Sequence, residues 1–133
     1  METHWQWRMK MARQIAAALD PEKFGVAAFY VFGSAKNATA AEASDIDILI
    51  HFRGSEFQER ELRLWLADWS RQLAELNFQR TGHATDGLLD VHLVTDADIE
   101  KRTSYAVKIG ATSDAALPLP LGTSRKEPPP AAR

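Results

Sequence analysis

Three aspartates and a Gly-Ser pair are the residues in this chain whose types and spacing can do chemistry. The segment Ser44-Asp45-Ile46-Asp47-Ile48-Leu49-Ile50 carries two acids one residue apart. Residues two apart in a strand share a face, so Asp45 and Asp47 project together, opposite Ile46, Ile48 and Ile50. Like charges held so close resist joint ionisation. A hard cation relieves that repulsion, and Mg²⁺ is typically held by one or two carboxylates plus substrate phosphates. A third acid, Asp90, stands among Leu88, Leu89, Val91 and Leu93. A carboxylate buried in an apolar strand is costly unless something partners it. If that strand lies beside the first, Asp90 completes a cluster of three carboxylates. Two metals roughly 3.5–4 Å apart on such a cluster stabilise the attacking and leaving oxygens of a phosphoryl displacement.

Upstream lies Phe32-Gly33-Ser34, separated from Asp45 by residues 35–44. Gly33 has no Cβ, so backbone there can approach a ligand and take unusual dihedrals. The N–H groups that follow, with the Ser34 hydroxyl, are suited to a phosphate. Either motif alone is a weak signal. Their order, with a later acid on another strand, is specific.

The elements that must position these residues are legible from periodicity. Residues 5–19 read as a helix with Trp5, Met9, Ala12, Ala16 and Leu19 on one face and Arg8, Lys10 and Arg13 elsewhere. Phe24 to Phe32 reads as a buried strand bounded by Gly33. Residues 33–44 read as a Gly-Ser turn followed by a short Ala-rich helical piece. Asp45 to Phe52 is a second strand, with Asp45, Asp47, Leu49 and His51 on the face opposite the isoleucines.

Ser55 is placed to cap a long helix over 56–80, whose stripe is Leu62, Leu66, Trp69, Leu73 and Leu76, widened by Trp65. Glu56, Glu59, Arg60, Arg63 and Arg71 read as its solvated face. Leu88 to Val94 is a third strand, and Thr95 caps a short helix from Asp96 to Arg102. The order predicts a small α/β or α+β domain with a mixed sheet flanked by helices.

Taken together, Phe32-Gly33-Ser34, Ser44-Asp45-Ile46-Asp47-Ile48 and Asp90 resemble the minimal nucleotidyltransferases of the DNA polymerase β-like superfamily, over about residues 24–95. The resemblance implies a palm-like mixed sheet and an NTP bound as its Mg²⁺ complex. It implies transfer of a nucleoside monophosphate to an acceptor hydroxyl, with release of pyrophosphate. By the same resemblance Asp45 and Asp47 bind both metals. Asp90 binds the catalytic metal and helps activate the acceptor, and Gly33, Ser34 and Lys36 serve the nucleotide phosphates. The chain departs from the pattern in two ways. Small members often carry an Arg-rich stretch after Gly-Ser, where this chain has Ala35-Lys36-Asn37. On the same comparison, the second helical domain with which larger members grip the acceptor is not expected here. Small members often act with a separate helical partner, so the resemblance makes a helical protein partner or a homodimer plausible. The alternative reading is a nucleotide-binding or partner-binding regulatory module on the same fold, without turnover.

Composition narrows the classes. The 133 residues suit one domain, expected over 1–116, with a Pro-rich tail over 117–133. A net charge of -2, from 16 basic and 18 acidic residues, argues against long nucleic acid as substrate. The absence of cysteine excludes disulfides and thiolate chemistry. No apolar run reaches membrane-span length and no signal peptide is evident, so a cytoplasmic protein is expected. His92 shares the face of Asp90, whereas His51 lies far along the strand from Asp47. His4 and His83 join no constellation, and Arg53 and Arg80 read as surface residues. Trp65 and Trp69 read as core. Trp5, Trp7 and Trp65 are also candidates for partner anchors, because aromatics are enriched at interfaces.

Overall fold

Three helices begin with the same local device. Thr3 opens α1 (His4–Ala18), Ser55 opens α4 (Glu56–Thr81) and Thr95 opens α5 (Asp96–Lys101). In each, the cap hydroxyl accepts a backbone N–H three residues on, and that residue's side chain reaches back to the cap N–H. Such caps contribute about 1 kcal/mol each. The computed structural model describes residues 2–111 and 115–122.

Asp20 caps a short second helix, α2 (Pro21–Phe24), with Pro21 at its first position. Gly25 ends it at φ 70, in the left-handed region. The first strand therefore runs Val26–Phe32 (β1), two residues shorter than the apolar run predicts, with Phe24 closing a helical turn. The helical piece after β1 falls on Gly33–Lys36 itself (α3), not after the Gly-Ser pair. The second strand, β2, spans Ile46–Phe52, with Asp45 just before it. The third, β3, spans Leu89–Val94. A 3₁₀ turn (Ser104–Lys108) follows α5.

The expected tail boundary needs correcting. Leu117–Leu119 forms a fourth strand, β4, paired antiparallel with β1. Its one proline, Pro118, is tolerated because the strand lies at a sheet edge. Residues 123–133 of the expected tail lie outside the described residues.

The sheet order is β3-β2-β1-β4. β1 and β2 are antiparallel, and β2 and β3 are parallel, so the sheet is mixed as expected. A parallel pair needs a long crossover, and α4 supplies it. One face of the sheet carries the main core. Phe29, Val31, Ile46, Ile48 and Ile50 pack there with Ile15 from α1 and Leu62 and Leu73 from α4, all essentially solvent-free. Fully burying each such side chain contributes roughly 1.5–3 kcal/mol.

The second face is not simply solvated. Leu49, expected among the polar residues, is fully buried there with Phe32, Val94, Ala106 and Ala116. The segments after β3 cover it, which alternation along one strand cannot reveal.

Two stripe assignments shift as well. Leu76 is exposed, and its neighbour Asn77 takes the inward position on α4. Arg8, read as lying off the apolar face of α1, is fully buried. Trp7 is buried too, and Trp5 and Trp65 are partly buried against the core. Among the described residues no helix is long and apolar enough to cross a membrane.

Candidate active site

The parallel register sets Asp47 directly beside Asp90. Both side chains lie on the second face of the sheet, since Ile46, Ile48 and Ile50 take the other. The two carboxyl groups are close neighbours across the parallel pair. Burial, then the charge of Asp90, raises the Asp47 pKa to about 6; the nearby charge of Asp45 adds to this and His92 opposes it. Asp45 is also raised, first by burial and then by Asp90, with Arg8 and His83 pulling the other way. The three acids therefore feel one another. Asp47 and Asp90 form the contacting pair, and Asp45 stands beside them at the start of β2.

Asp90 is not buried in its strand. Its side chain is half-exposed, because β3 is a sheet edge and the flanking leucines point elsewhere. His92, two residues on and on the same face, puts Nε2 3.3 Å from Asp90 Oδ2. The His92 ring stacks on Tyr105 at 3.9 Å between centroids, and Phe32 lies against both rings.

Gly33 follows Phe32, which pairs with Asp47 across β1 and β2. It adopts φ +72. A Cβ built on it would lie 2.0 Å from Asp47 Oδ2, so the carboxylate occupies the space that any other residue would fill. This explains both the glycine and its position: the turn lets an acid from the neighbouring strand lie over backbone. Ser34 lies in α3, whose first N–H groups, like those of any helix, have no intrahelical partners. The Lys36 ammonium donates to the Ala115 carbonyl at 3.0 Å, tying α3 to the approach of β4.

Sequence reasoning missed Arg8, Asn77, Tyr105 and His83 as neighbours of this site. Arg8 and Asn77 were detectable in principle. Arg8 is three residues after Trp5 and four before Ala12, and Asn77 is four after Leu73, so each keeps the helical period of a buried stripe. Their polar character argued against the period.

Whether a divalent cation fits can be judged from the donors. Two neighbouring carboxylates, one of them with its pKa raised by burial and by the charge of the other, are a set whose repulsion a cation can relieve. Among the described residues no three His, Asp or Glu side chains already stand in a metal-chelating arrangement. The donor chemistry suits Mg²⁺, with substrate phosphates supplying further oxygens.

Comparison with known proteins agrees with the layout. The family model described as nucleotidyltransferase domain matches residues 10–109, which include every acid of the site and the Gly33-Ser34 turn. Among curated proteins, and among solved structures, nothing matches the chain. A mixed sheet flanked by helices, carrying these acids at one end and this family match over most of its length, identifies the chain as a member of the nucleotidyltransferase domain family.

Proposed function

We propose that the chain transfers a nucleoside monophosphate from an NTP to the hydroxyl of an acceptor, in a Mg²⁺-dependent reaction that releases pyrophosphate. The observation that carries this reading is the in-register pairing of Asp47 with Asp90, with the Asp47 carboxylate lying over Gly33. Asp45, Asp47 and Asp90 would hold the metal. Bound there, Mg²⁺ neutralises developing charge on the phosphates and polarises the reacting oxygens.

The chain's own residues do the rest. Gly33 leaves room for Asp47 and brings backbone close to the nucleotide. Ser34 and the first N–H groups of α3 offer donors to the terminal phosphates. The exposed Asp90 carboxylate accepts the proton of the acceptor hydroxyl, whose oxygen attacks the α-phosphorus. The new P–O bond forms as the bond to the bridging oxygen breaks, and pyrophosphate carries that electron pair away. His92 Nε2, 3.3 Å from Asp90, holds Asp90 in place and can relay the proton outward. Most of the acceleration comes from positioning and electrostatic stabilisation.

The test is pyrophosphate release from each of the four NTPs, with Mg²⁺ and a panel of hydroxyl acceptors: small polyols, RNA ends and hydroxyl-bearing proteins. Release that requires Mg²⁺ and vanishes in Asp47→Asn and Asp90→Asn supports the reading. Metal-dependent NTP binding without release across the panel favours the regulatory module. Loss of neither binding nor release in Asp47→Asn overturns the assignment of the site.

A further inference from the structure

On α1 and α4, far from the acids in sequence, a fully buried Arg8 meets a fully buried Asn77. The guanidinium uses every edge. Nε donates to the Ser44 carbonyl at 2.9 Å, and Nη2 donates to the Glu42 carbonyl at 3.2 Å and to Asn77 Oδ1 at 3.3 Å. Nη1 donates to the His4 carbonyl at 3.3 Å. Asn77 Nδ2 adds a second grip on the Glu42 carbonyl, at 2.9 Å. The gripped segment is itself a tight turn, in which the Ser44 hydroxyl accepts from the Ala41 N–H at 2.9 Å. The next residue is Asp45.

Among the described residues no carboxylate lies within salt-bridge distance of Arg8, and Asp45 acts on it only as a nearby charge. The acceptors of Arg8 are three carbonyls and an amide, and burial lowers its pKa, with Arg80 adding to the effect and Asp45 opposing it. Taking a guanidinium out of water without an ion-pair partner is expensive, and apolar residues of similar volume commonly do as well or better for stability. A device of this cost on the buried stripes of two helices calls for a role other than filling space. What it does geometrically is fix the chain between the Gly33-Ser34 turn and β2. That stretch has no regular structure of its own between Lys36 and Ile46.

We propose that Arg8 and Asn77 are positioning residues: by holding the carbonyls of Glu42 and Ser44 they set where Asp45 stands relative to Asp47 and the Gly33 turn, and so govern affinity for a divalent metal and its NTP complex. The proposal rests on the nucleotidyl-transfer reading of the site. Partners one shell beyond a metal's ligands typically change metal affinity or activity 10–100-fold when lost.

The decisive variant replaces the pair by apolar residues, Arg8→Met with Asn77→Leu. Arg8→Lys, which keeps the charge without the fork, and Asn77→Ala serve if the double variant fails to fold. The exposed Arg13→Ala on the same helix is the control. Mn²⁺ binding by electron paramagnetic resonance, Mg²⁺-dependent binding of each of the four NTPs by calorimetry, and amide exchange are measured on folded protein. The double variant is expected to keep or raise its Tm while Mn²⁺ and Mg²⁺–NTP affinity fall 10–100-fold. Exchange should quicken at residues 42–46 and stay unchanged at Ile48 and Ile50. Arg13→Ala should match the wild type. Wild-type affinity in the double variant, or unchanged exchange at 42–46, overturns the positioning role alone. A wild-type protein that binds neither Mn²⁺ nor any Mg²⁺–NTP overturns the nucleotide reading, and this inference falls with it.

Discussion

The two ends of β2 carry clusters of ionisable side chains on the same face, and they are built in opposite ways. At one end His51 Nε2 and Arg53 Nε both reach Asp96 Oδ1, the latter at 2.9 Å. Arg53, and then His51, hold the Asp96 carboxyl below the usual carboxylate range. At the other end Asp47 faces Asp90 and Asp45, and its pKa rises to about 6. One end is neutralised by the fold. The other is left with charge that the fold does not balance, beside a half-exposed acid and a turn that needs glycine. Structural polar groups tend to be paired off, whereas groups poised for a ligand are kept in tension, which is why perturbed acids gather at functional sites.

The largest effect expected from this contrast is on turnover. Asp47→Asn should lower pyrophosphate release at least 10³-fold, about 4 kcal/mol of transition-state stabilisation. Asp96→Asn, at the balanced end, should leave the rate within twofold. Steady-state kinetics on the two variants would break the comparison if both lost turnover equally.

Gly33→Ala comes next. It must displace the Asp47 carboxylate and hold a Cβ at positive φ. A loss of roughly 10²-fold in kcat/KM is expected. Thermal unfolding should show a stability loss of about 1–3 kcal/mol.

The metal-free protein sharpens the contrast further. Because the folded pKa of Asp47 is raised, its favourable contribution is complete below the unfolded carboxylate pKa of about 3.9 and is lost as pH rises through about 6. Asp47→Asn mimics the protonated form. It should therefore stabilise the metal-free protein near pH 7 by about 1 kcal/mol, allowing for solvent screening at this half-buried site. The gain should shrink toward pH 4 in denaturant titrations.

Asp96 carries the opposite sign. Its folded pKa is lowered, so its contribution is present above about 3.9 and is lost as pH falls through its lower folded value. Asp96→Asn should thus cost a little stability at pH 7 and nothing at strongly acidic pH. This is the smallest effect, because the pair is exposed.

How much of this was readable in advance depended on how local the cause was. The long helix after Ser55 and the short one after Thr95 start where the caps predict, because a cap is satisfied within three residues. The Ile46-Ile48-Ile50 face of β2 is buried as alternation requires. Leu49 is buried too, because segments far downstream fold over the second face. Asp90 stands among leucines in the sequence, where burial without a partner would be costly, and strand order leaves it at an edge with its side chain half-exposed. The segment from Leu117, expected as tail, became a strand because β1 offered an unpaired edge.

The chain's own order of residues determined the helix starts, the alternating strands, the two acids at the head of β2 and the Gly-Ser turn before them. Each follows from interactions spanning a few residues. Tertiary structure alone decided that Asp47 meets Asp90, that Asp47 lies over Gly33, and that Arg8 finds Asn77 across 69 residues of sequence. Register and the burial of polar groups depend on partners that only packing brings together. For a buried guanidinium, the hydrogen bonds that make its position tolerable exist only once the fold is complete.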